Sequence, residues 1–311
     1  MIPLDTPLPL AWIHNQFVPQ NEAVLNLHDA GFVMGATVTD MSRTFSHKLF
    51  LLEEHIRRFI SNCESCCINI KSNEIELRKI AEELVHKNSL QIESKDDLAL
   101  VMFATPGPIA FYLGGQGGAG DGTPTLGMHT FKLPLKRYRS WIENGVELQT
   151  VSVRQPSPQS INPMIKQRSR MHWYLADREA KKISANAQAI LLDENGFLTE
   201  TAAANLVIIK DLGGFQLITP RHEKVLDGIA LQMIKKFANH SGFPFLEADI
   251  LPEQVSPNDG AIITGSTFCF ASVKSINGTN LNRSAIIMQK LLDFWQKEVN
   301  INIHEQILNE Y

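Results

Sequence analysis

The stretch PMIKQRSRMHWYLADREAKKISANAQAILLDENGFLTETAAANLVIIK, residues 163–210, sets a lysine at the head of a helix-like run. A hairpin follows, its second strand carrying an acid, and then a patch of threonine, alanine and asparagine. Between Lys166 and Ala180, Met171, Tyr174, Leu175 and Arg178 recur at helical intervals, which predicts a helix that begins at the lysine. A lysine at the positive end of a helix dipole, with Arg168 and Arg170 close in sequence, is shifted towards its neutral form and becomes a usable nucleophile. Taken alone, Lys166 reads as a solvated surface charge, as most lysines are. AILLDENGFLTE reads as a strand, an Asn-Gly turn and a second strand ending at Glu200.

Working outward, DAGFVMGATVTDMSRTF is a two-glycine turn followed by the alternation of a strand, Val38 to Phe45, which returns through SHK as a hairpin. LEEHIRRFISNCESC places acids first and bases later, the order that suits a helix dipole. A second helix over 72–87 puts Ile75, Leu77, Ile80, Leu84 and Val85 on one face. DLALVMFATPGPIAFYL predicts a pair of strands around TPGP. Further helices are expected near 227–241 and in IIMQKLLDFWQKEV. The proline and basic cluster at 134–139 marks the expected linker, dividing residues 1–133 from 140–311.

Composition narrows the function classes. A chain of 311 residues with 44% hydrophobic and 20% charged residues is an ordinary globular one, long enough for two domains. Its formal charge of -4 gives no general reason to expect nucleic acid or anionic lipid as partner. The opening MIPLDTPLPLAWIHNQF lacks a basic leader before an apolar run, and no stretch reaches the roughly 20 apolar residues of a membrane span, so a cytoplasmic location is expected.

Three motifs invite a chemistry that their context does not support. Cys63, Cys66 and Cys67 have a metal-like spacing, but they lie in a run with helical periodicity and the fourth cysteine, Cys269, is distant, so no metal is expected. Gly115 to Gly120 fits Gly-x-Gly-x-x-Gly, yet Asp121, Gly122 and Pro124 follow where a dinucleotide site needs a helix. Three Asn-x-Ser/Thr matches carry no meaning without secretion.

Two glycine turns suit an anion better. VLDGIA, 225–230, places a glycine just before a helix start, and ITGST, 263–267, ends an apolar strand in a turn with two hydroxyls. Each also reads as an ordinary capped turn. Arg58, in HIRRF, could supply positive charge. A carboxylate such as Glu200, at a strand end beside small side chains, can face a ring nitrogen and keep a pyridinium protonated, or can simply be solvated.

In this order the elements resemble the class IV, or fold type IV, pyridoxal-phosphate-dependent aminotransferases. That family includes branched-chain and D-amino acid aminotransferases, (R)-selective amine transaminases and aminodeoxychorismate lyase. LEEHIRRF resembles the family's His-x-x-Arg-Leu element, IKQRSRMHWYLADREA its lysine segment, and LTETAAANLVII its Glu-Gly-x-x-x-Asn segment. LDGIA resembles Leu-x-Gly-Ile-Thr, and ITGSTFCFASV the second phosphate turn.

The resemblance implies an α+β (α/β) two-domain fold, with a small N-terminal α+β domain, a larger C-terminal pseudo-barrel and pyridoxal 5'-phosphate in the cleft. It implies that Lys166 holds the cofactor as a Schiff base and then shuttles a proton. Glu200 partners the pyridine nitrogen, Leu226 lies against the ring, and Arg58, the Ile229 amide, Ser266 and Thr267 hold the phosphate. It also implies a homodimer acting on an amino acid and a 2-oxo acid, branched-chain-like by default.

The chain departs from the family pattern at Thr201, Ala230, Ser266 and Met171, the last standing where branched-chain enzymes have a tyrosine that bonds the ring hydroxyl; Tyr174 or Arg170 is the expected substitute. Thr39 and Asp40 replace Phe-Glu, making the pocket there smaller and more polar, and Arg43 is the candidate for a substrate carboxylate. Pro106 stands where D-amino acid enzymes tend to have Arg-Gly. Two other outcomes stay open: a lyase of the aminodeoxychorismate type, and a binding protein that has kept the fold and lost turnover.

Overall fold

A computed structural model of the chain describes residues 9–309. The opening residues of the stretch read as leader-free therefore lie outside the described residues. The chain divides into two compact units, Met1–Leu133 with Ile165–Ser169, and Pro134–Met164 with Arg170–Tyr311.

In the first unit the strands are β1 (Leu10–Ile13), β2 (Gln16–Pro19), β3 (Val38–Phe45), β4 (Lys48–Leu49), β5 (Leu98–Thr105) and β6 (Thr125–Lys132). They form one antiparallel sheet in the order β2-β1-β6-β5-β3-β4. The helices are α1 (Ala30–Val33), α2 (Leu52–Ser65) and α3 (Glu74–Ser89). Side chains alternate across a strand, so Val38 and Asp40 of β3 share one face while Thr39 and Met41 share the other. The Val38 face packs with α2 and α3 around Ile56, Phe59, Leu77, Leu84, Leu100 and Met102, all buried. Each such side chain contributes about 1.5–3 kcal/mol by leaving water. Asn73 caps α3 in a reciprocal pair with Glu76, which fixes where the helix starts.

Two expectations are corrected here. Ile75 is 66% exposed, and Ala81 takes its place in the core, because the α3 stripe runs through Leu77, Ala81 and Leu84. The segment after TPGP is not a strand: β5 pairs with β6 instead, and Ala110–Leu113 is a 3-10 turn with Phe111, Tyr112 and Leu113 exposed. Pro106 and Pro108 have no amide hydrogens to donate to a ladder. The glycine stretch 114–122 contains no helix.

In the second unit the strands are β7 (Val146–Arg154), β8 (Gln188–Leu192), β9 (Leu198–Thr201), β10 (Asn205–Asp211), β11 (Phe215–Pro220), β12 (Phe245–Ala248), β13 (Gly260–Gly265), β14 (Cys269–Ile276) and β15 (Thr279–Asn280). The helices are α4 (Arg139–Asn144), α5 (Met171–Ile183), α6 (Ile229–Ser241), α7 (Ala285–Val299) and α8 (Ile303–Leu308). Six strands close on themselves in the order β10-β13-β14-β7-β8-β9, and the ring is completed where Asn205 pairs with Glu200. Trp173, Ala176 and Ala180 of α5 pack on β7 and β8.

The 134–139 segment, expected as a linker, belongs to the second unit: Leu135 is buried, and Tyr138 packs its ring against Trp141 and Phe268. Residues 165–169 pair with β3 and so belong to the first unit, although the sequence places them among the residues of the second. The α+β organisation is as the resemblance implies, with a smaller sheet-and-helix unit and a larger unit built on a closed pseudo-barrel.

Candidate active site

Within the second unit, Glu200 is buried where β9 and β10 meet. The donors converging on its carboxylate include Gln155 Nε2 at 3.3 Å, Asn205 Nδ2 at 3.3 Å and the Leu226 amide at 3.2 Å. Asn205 is the node of this end of the barrel. Its Nδ2 also donates to the Leu226 carbonyl at 2.9 Å, and across the sheet it pairs with Thr264 of β13. The chain turns sharply between the strands, with Thr201 N donating to Ala204 O at 2.9 Å. Arg170 donates to the Ala202 carbonyl in the same turn, whereas Tyr174 is exposed. Of the two substitutes expected for the missing tyrosine, Arg170 is the one brought beside the Glu200 segment.

The two glycine turns that suit an anion lie against this node. Gly228 caps α6 and offers no side chain to the first-turn amides of Ile229 and Ala230, which remain available as donors. Gly265, at the other turn, lies so close to Ala203 that a β-carbon would sit 2.6 Å from its carbonyl oxygen. Ser266 and Thr267 follow, and Thr267 Oγ1 donates to the Tyr138 hydroxyl at 3.1 Å. The structure thus brings together Glu200, Leu226, Ile229, Ser266 and Thr267. A β-carbon on Gly228 would sit 2.1 Å from Asn205 Oδ1. Gly228→Ala is therefore expected to push Asn205 off Glu200 and lower stability by about 1–3 kcal/mol, measured as a shift of the urea midpoint at unchanged slope.

Lys166 stands elsewhere in the fold from where its sequence context puts it. Helix α5 begins at Met171, so Lys166 sits five residues upstream of it and the dipole argument does not apply. Nor is the expected apolar stripe the buried one: Met171, Tyr174 and Leu175 are exposed. Lys166 lies instead in an extended segment bridged to β3, with Thr39 N donating to Lys166 O and Arg168 N to Thr37 O, both at 2.9 Å. Ser169 Oγ donates to the Gly35 carbonyl at 2.8 Å. Val38 faces Gln167 in this antiparallel bridge, so Lys166 and Arg168 share the opposite face with Thr39.

Asp40 does not line a pocket. It is fully buried on the other face of β3, where Arg58 Nε donates to Oδ2 at 2.8 Å and Arg58 Nη2 to Oδ1 at 2.9 Å. His55 Nδ1 donates to Oδ1 at 2.7 Å. Burial alone would raise the Asp40 carboxyl, but the Arg58 charge and then His55 outweigh it and hold it well below the usual carboxylate range. His55 is held below its ordinary value by burial first, with the Arg58 and Lys166 charges adding to it against the pull of Asp40.

Both shifts are downward, so in each case the unfolded chain binds more protons, and stability falls as pH falls through the window between the unfolded and folded values. The His55 loss starts below roughly pH 6.5 and the Asp40 loss below about 4. Chemical denaturation across pH should show both steps, and His55→Gln should shrink the upper one, to which the lowered His129, His172 and His304 also contribute. Asp40→Asn leaves Arg58 buried without its counter-charge and is expected to cost about 3–5 kcal/mol, read as the change in unfolding free energy.

Arg43 is corrected as a substrate residue. It is 2% exposed, paired with Asp97 at 3.6 Å and stacked over Phe45 at 4.0 Å, so it is sealed within the sheet. Thr39 donates to the Met102 carbonyl at 2.9 Å. The sequence reading missed Gln155, His55 and the role of Asp40. It quoted Asn205 only as part of a motif. The four cysteines are free thiols, and burial pushes Cys63 up to about 12, an inert core thiol. Among the described residues one group of metal-compatible side chains occurs, His222 with Glu223 and Glu247; it is exposed and its members pair with one another. No helix among the described residues is long and apolar enough to cross a membrane.

The family model for amino-transferase class IV matches residues 37–276, a span that takes in every element of this site. The chain belongs to the class IV aminotransferases. Among curated relatives, the putative branched-chain-amino-acid aminotransferase of Methanocaldococcus jannaschii is 26% identical over 283 residues, covering 88% of this chain and 90% of that protein. The D-alanine aminotransferase of Staphylococcus haemolyticus is 25% identical over 272 residues, covering 86% and 89%.

Among solved structures, the branched-chain amino acid aminotransferase of Escherichia coli superposes with a TM-score of 0.81 at 19% identity, covering 93% of this chain and 94% of that one. A T.th. branched-chain amino acid aminotransferase, complexed with N-(5'-phosphopyridoxyl)-L-glutamate, superposes at 0.80 and 19%, covering 94% and 95%. As a class IV aminotransferase the chain is an enzyme of that class.

Proposed function

We propose that this class IV aminotransferase uses pyridoxal 5'-phosphate to move an amino group between an amino acid and a 2-oxo acid, with branched-chain donors first among those to be tried. The observation that carries the reading is the convergence of Glu200, the uncapped start of α6 and the Ser266–Thr267 turn on the Asn205 node. These residues fit the cofactor. A buried carboxylate held by surrounding donors suits a ring nitrogen, and main-chain amides with two hydroxyls suit a phosphate. Gln155 Oε1 is buried without a hydrogen-bond partner beside Glu200, a further acceptor in the same shell. The phosphopyridoxyl adduct carried by the T.th. structure, and the branched-chain name of the M. jannaschii relative, support the same reading.

Bound there, pyridoxal phosphate supplies an aldehyde that accepts the amino group and a ring that draws electrons from the substrate α-carbon. Lys166 would hold the cofactor's aldehyde end, and its free Nζ amine would take the proton from the substrate α-carbon and return it. Glu200 would keep the proton on the pyridine nitrogen. Leu226 would lie against the ring, and the phosphate would fall to the Ile229 amide, Ser266 and Thr267, with Arg58 supplying positive charge. Arg58 enters this role already fixed by Asp40, which leaves its geometry determined before any ligand arrives.

A homodimer is part of the proposal. The 24–34 and 107–113 segments adjoin, with Ala30 N donating to Gly107 O and Ile109 N to His28 O. Together they expose Leu27, Phe32, Met34, Phe111 and Tyr112, an apolar surface of the kind a second copy covers.

The test is to incubate the protein with pyridoxal phosphate, then supply L- and D-amino acids one at a time with 2-oxoglutarate and follow the new 2-oxo acid by mass spectrometry. Acceptor-dependent product from a defined set of donors supports the reading. Pyruvate released from aminodeoxychorismate without an acceptor would assign the lyase outcome, and no turnover with any donor would contradict catalysis.

A further inference from the structure

We propose that Arg168, with Thr39, is the subsite that binds the carboxylate of the amino-acid and 2-oxo-acid substrates. The inference rests on the functional reading above and deepens it. The sequence offers several arginines for this task, and the structure separates them. Arg43 is paired with Asp97, Arg58 with Asp40, and Arg170 donates to the Ala202 carbonyl. Arg168 has no acidic partner among the described residues. Its one side-chain hydrogen bond runs from Nη2 to Thr39 Oγ1 at 3.4 Å.

The side chain is accessible, yet it folds back over β3 far enough that desolvation lowers its pKa from the ordinary value. An arginine in that position is a cation seeking an anion, and its planar fork suits a carboxylate.

Position supplies the second part. Arg168 is two residues from Lys166 on the same face of the bridged segment, and both Thr39–Lys166 and Arg168–Thr37 main-chain bonds hold that segment to β3. The spacing of the two side-chain origins is therefore set by the backbone. The α-carbon of an amino acid carries its carboxylate one bond away, and Arg168 is the cation that shares the Lys166 face without an acidic partner among the described residues.

His129 of β6 belongs to the same face of the sheet, in register with Val101 of β5 and through it with Met41 of β3. Its Nδ1 has no partner of hydrogen-bonding geometry, and burial followed by the Arg168 charge keeps its pKa below the usual value. It adds no competing anion. Thr39 supplies a hydroxyl oxygen beside the guanidinium.

The experiment compares wild type, Arg168→Gln and Arg168→Lys after loading with pyridoxal phosphate. Calorimetry measures binding of 4-methylvalerate, a carboxylate without an amine, and of inorganic phosphate. Loss of a charge-assisted pair is expected to weaken 4-methylvalerate about 10- to 100-fold in Arg168→Gln. Arg168→Lys, which keeps the charge and loses the fork, should fall between. KM for an amino-acid donor should rise by a similar factor with a smaller change in kcat, while the donor half-reaction with a plain amine of the same carbon skeleton, run without a 2-oxo acid, should respond alike in all three proteins.

Unchanged 4-methylvalerate binding in Arg168→Gln would overturn the proposal. So would weakened phosphate and cofactor binding with the carboxylate unaffected, which would move Arg168 to the phosphate. A wild-type protein with a Lys166-dependent visible band that binds no carboxylate would also overturn the subsite and leave the functional reading standing. If no such band forms but 4-methylvalerate still binds through Arg168, the subsite stands and the functional reading fails.

Discussion

Lys166→Ala should lose aminotransferase turnover by about 10⁴-fold or more, the scale of removing a nucleophile that also serves as the general base. The expectation follows from position as much as from residue type. Lys166 is pinned to β3 by its own carbonyl and by the Arg168 amide, so truncating its side chain removes the amine without loosening the segment. Stability should therefore change little, and the far-ultraviolet spectrum and the urea midpoint should match wild type. The visible absorption that pyridoxal phosphate gains on binding should disappear at the same time. Added methylamine, supplying the missing amine from solution, should restore a measurable fraction of turnover. Turnover within tenfold of wild type would remove Lys166 from the chemistry.

The second large effect belongs to Glu200→Gln. The change keeps shape and removes charge, and it introduces an amide that must share the donors of Gln155, Asn205 and Leu226 with a new NH₂ group. The neutral side chain can no longer hold a proton on a ring nitrogen, so kcat should fall about 10²- to 10³-fold, the size of one preorganised electrostatic contact. Cofactor affinity should fall much less, because the proposed phosphate contacts belong to other residues. The effect is read by comparing kcat at saturating cofactor with the cofactor dissociation constant. An equal loss in both would mean that Glu200 acts through folding of the β9–β10 end and not through the ring.

Much of this arrangement was legible in the sequence, and the parts that were not share a cause. Strand β3 was read from alternation and helix α2 from its charge order because both are local signals. Gly228 and Gly265 were legible as turn residues because one precedes a helix and the other ends an apolar strand, both local signals. What one chain position cannot show is its partner at a distance. Arg43 and Arg168 look alike in sequence; Asp97, 54 residues beyond Arg43, neutralises one, and no acid among the described residues reaches the other. Asp40 read as a polar pocket residue because the face of β3 it occupies is settled by α2, which brings Arg58 and His55 to it.

The Lys166 segment misled for a related reason. Its helical spacing is real from Met171 onward, but main-chain bonds to Thr37 and Thr39 claim residues 166 and 168 first, and tertiary pairing overrides local propensity. The exposed Met171, Tyr174 and Leu175 show the same limit: a stripe at helical spacing marks one face of a helix without saying what lies against it.

The central claim is that Lys166 is the residue to which the cofactor attaches. Treating the pyridoxal-phosphate-loaded protein with sodium borohydride, digesting it and locating the label by tandem mass spectrometry tests this directly. The account predicts a single phosphopyridoxyl group on Lys166, absent when a good amino donor is added before reduction. Label on another lysine, or none at all on protein that has been saturated with the cofactor, would contradict it.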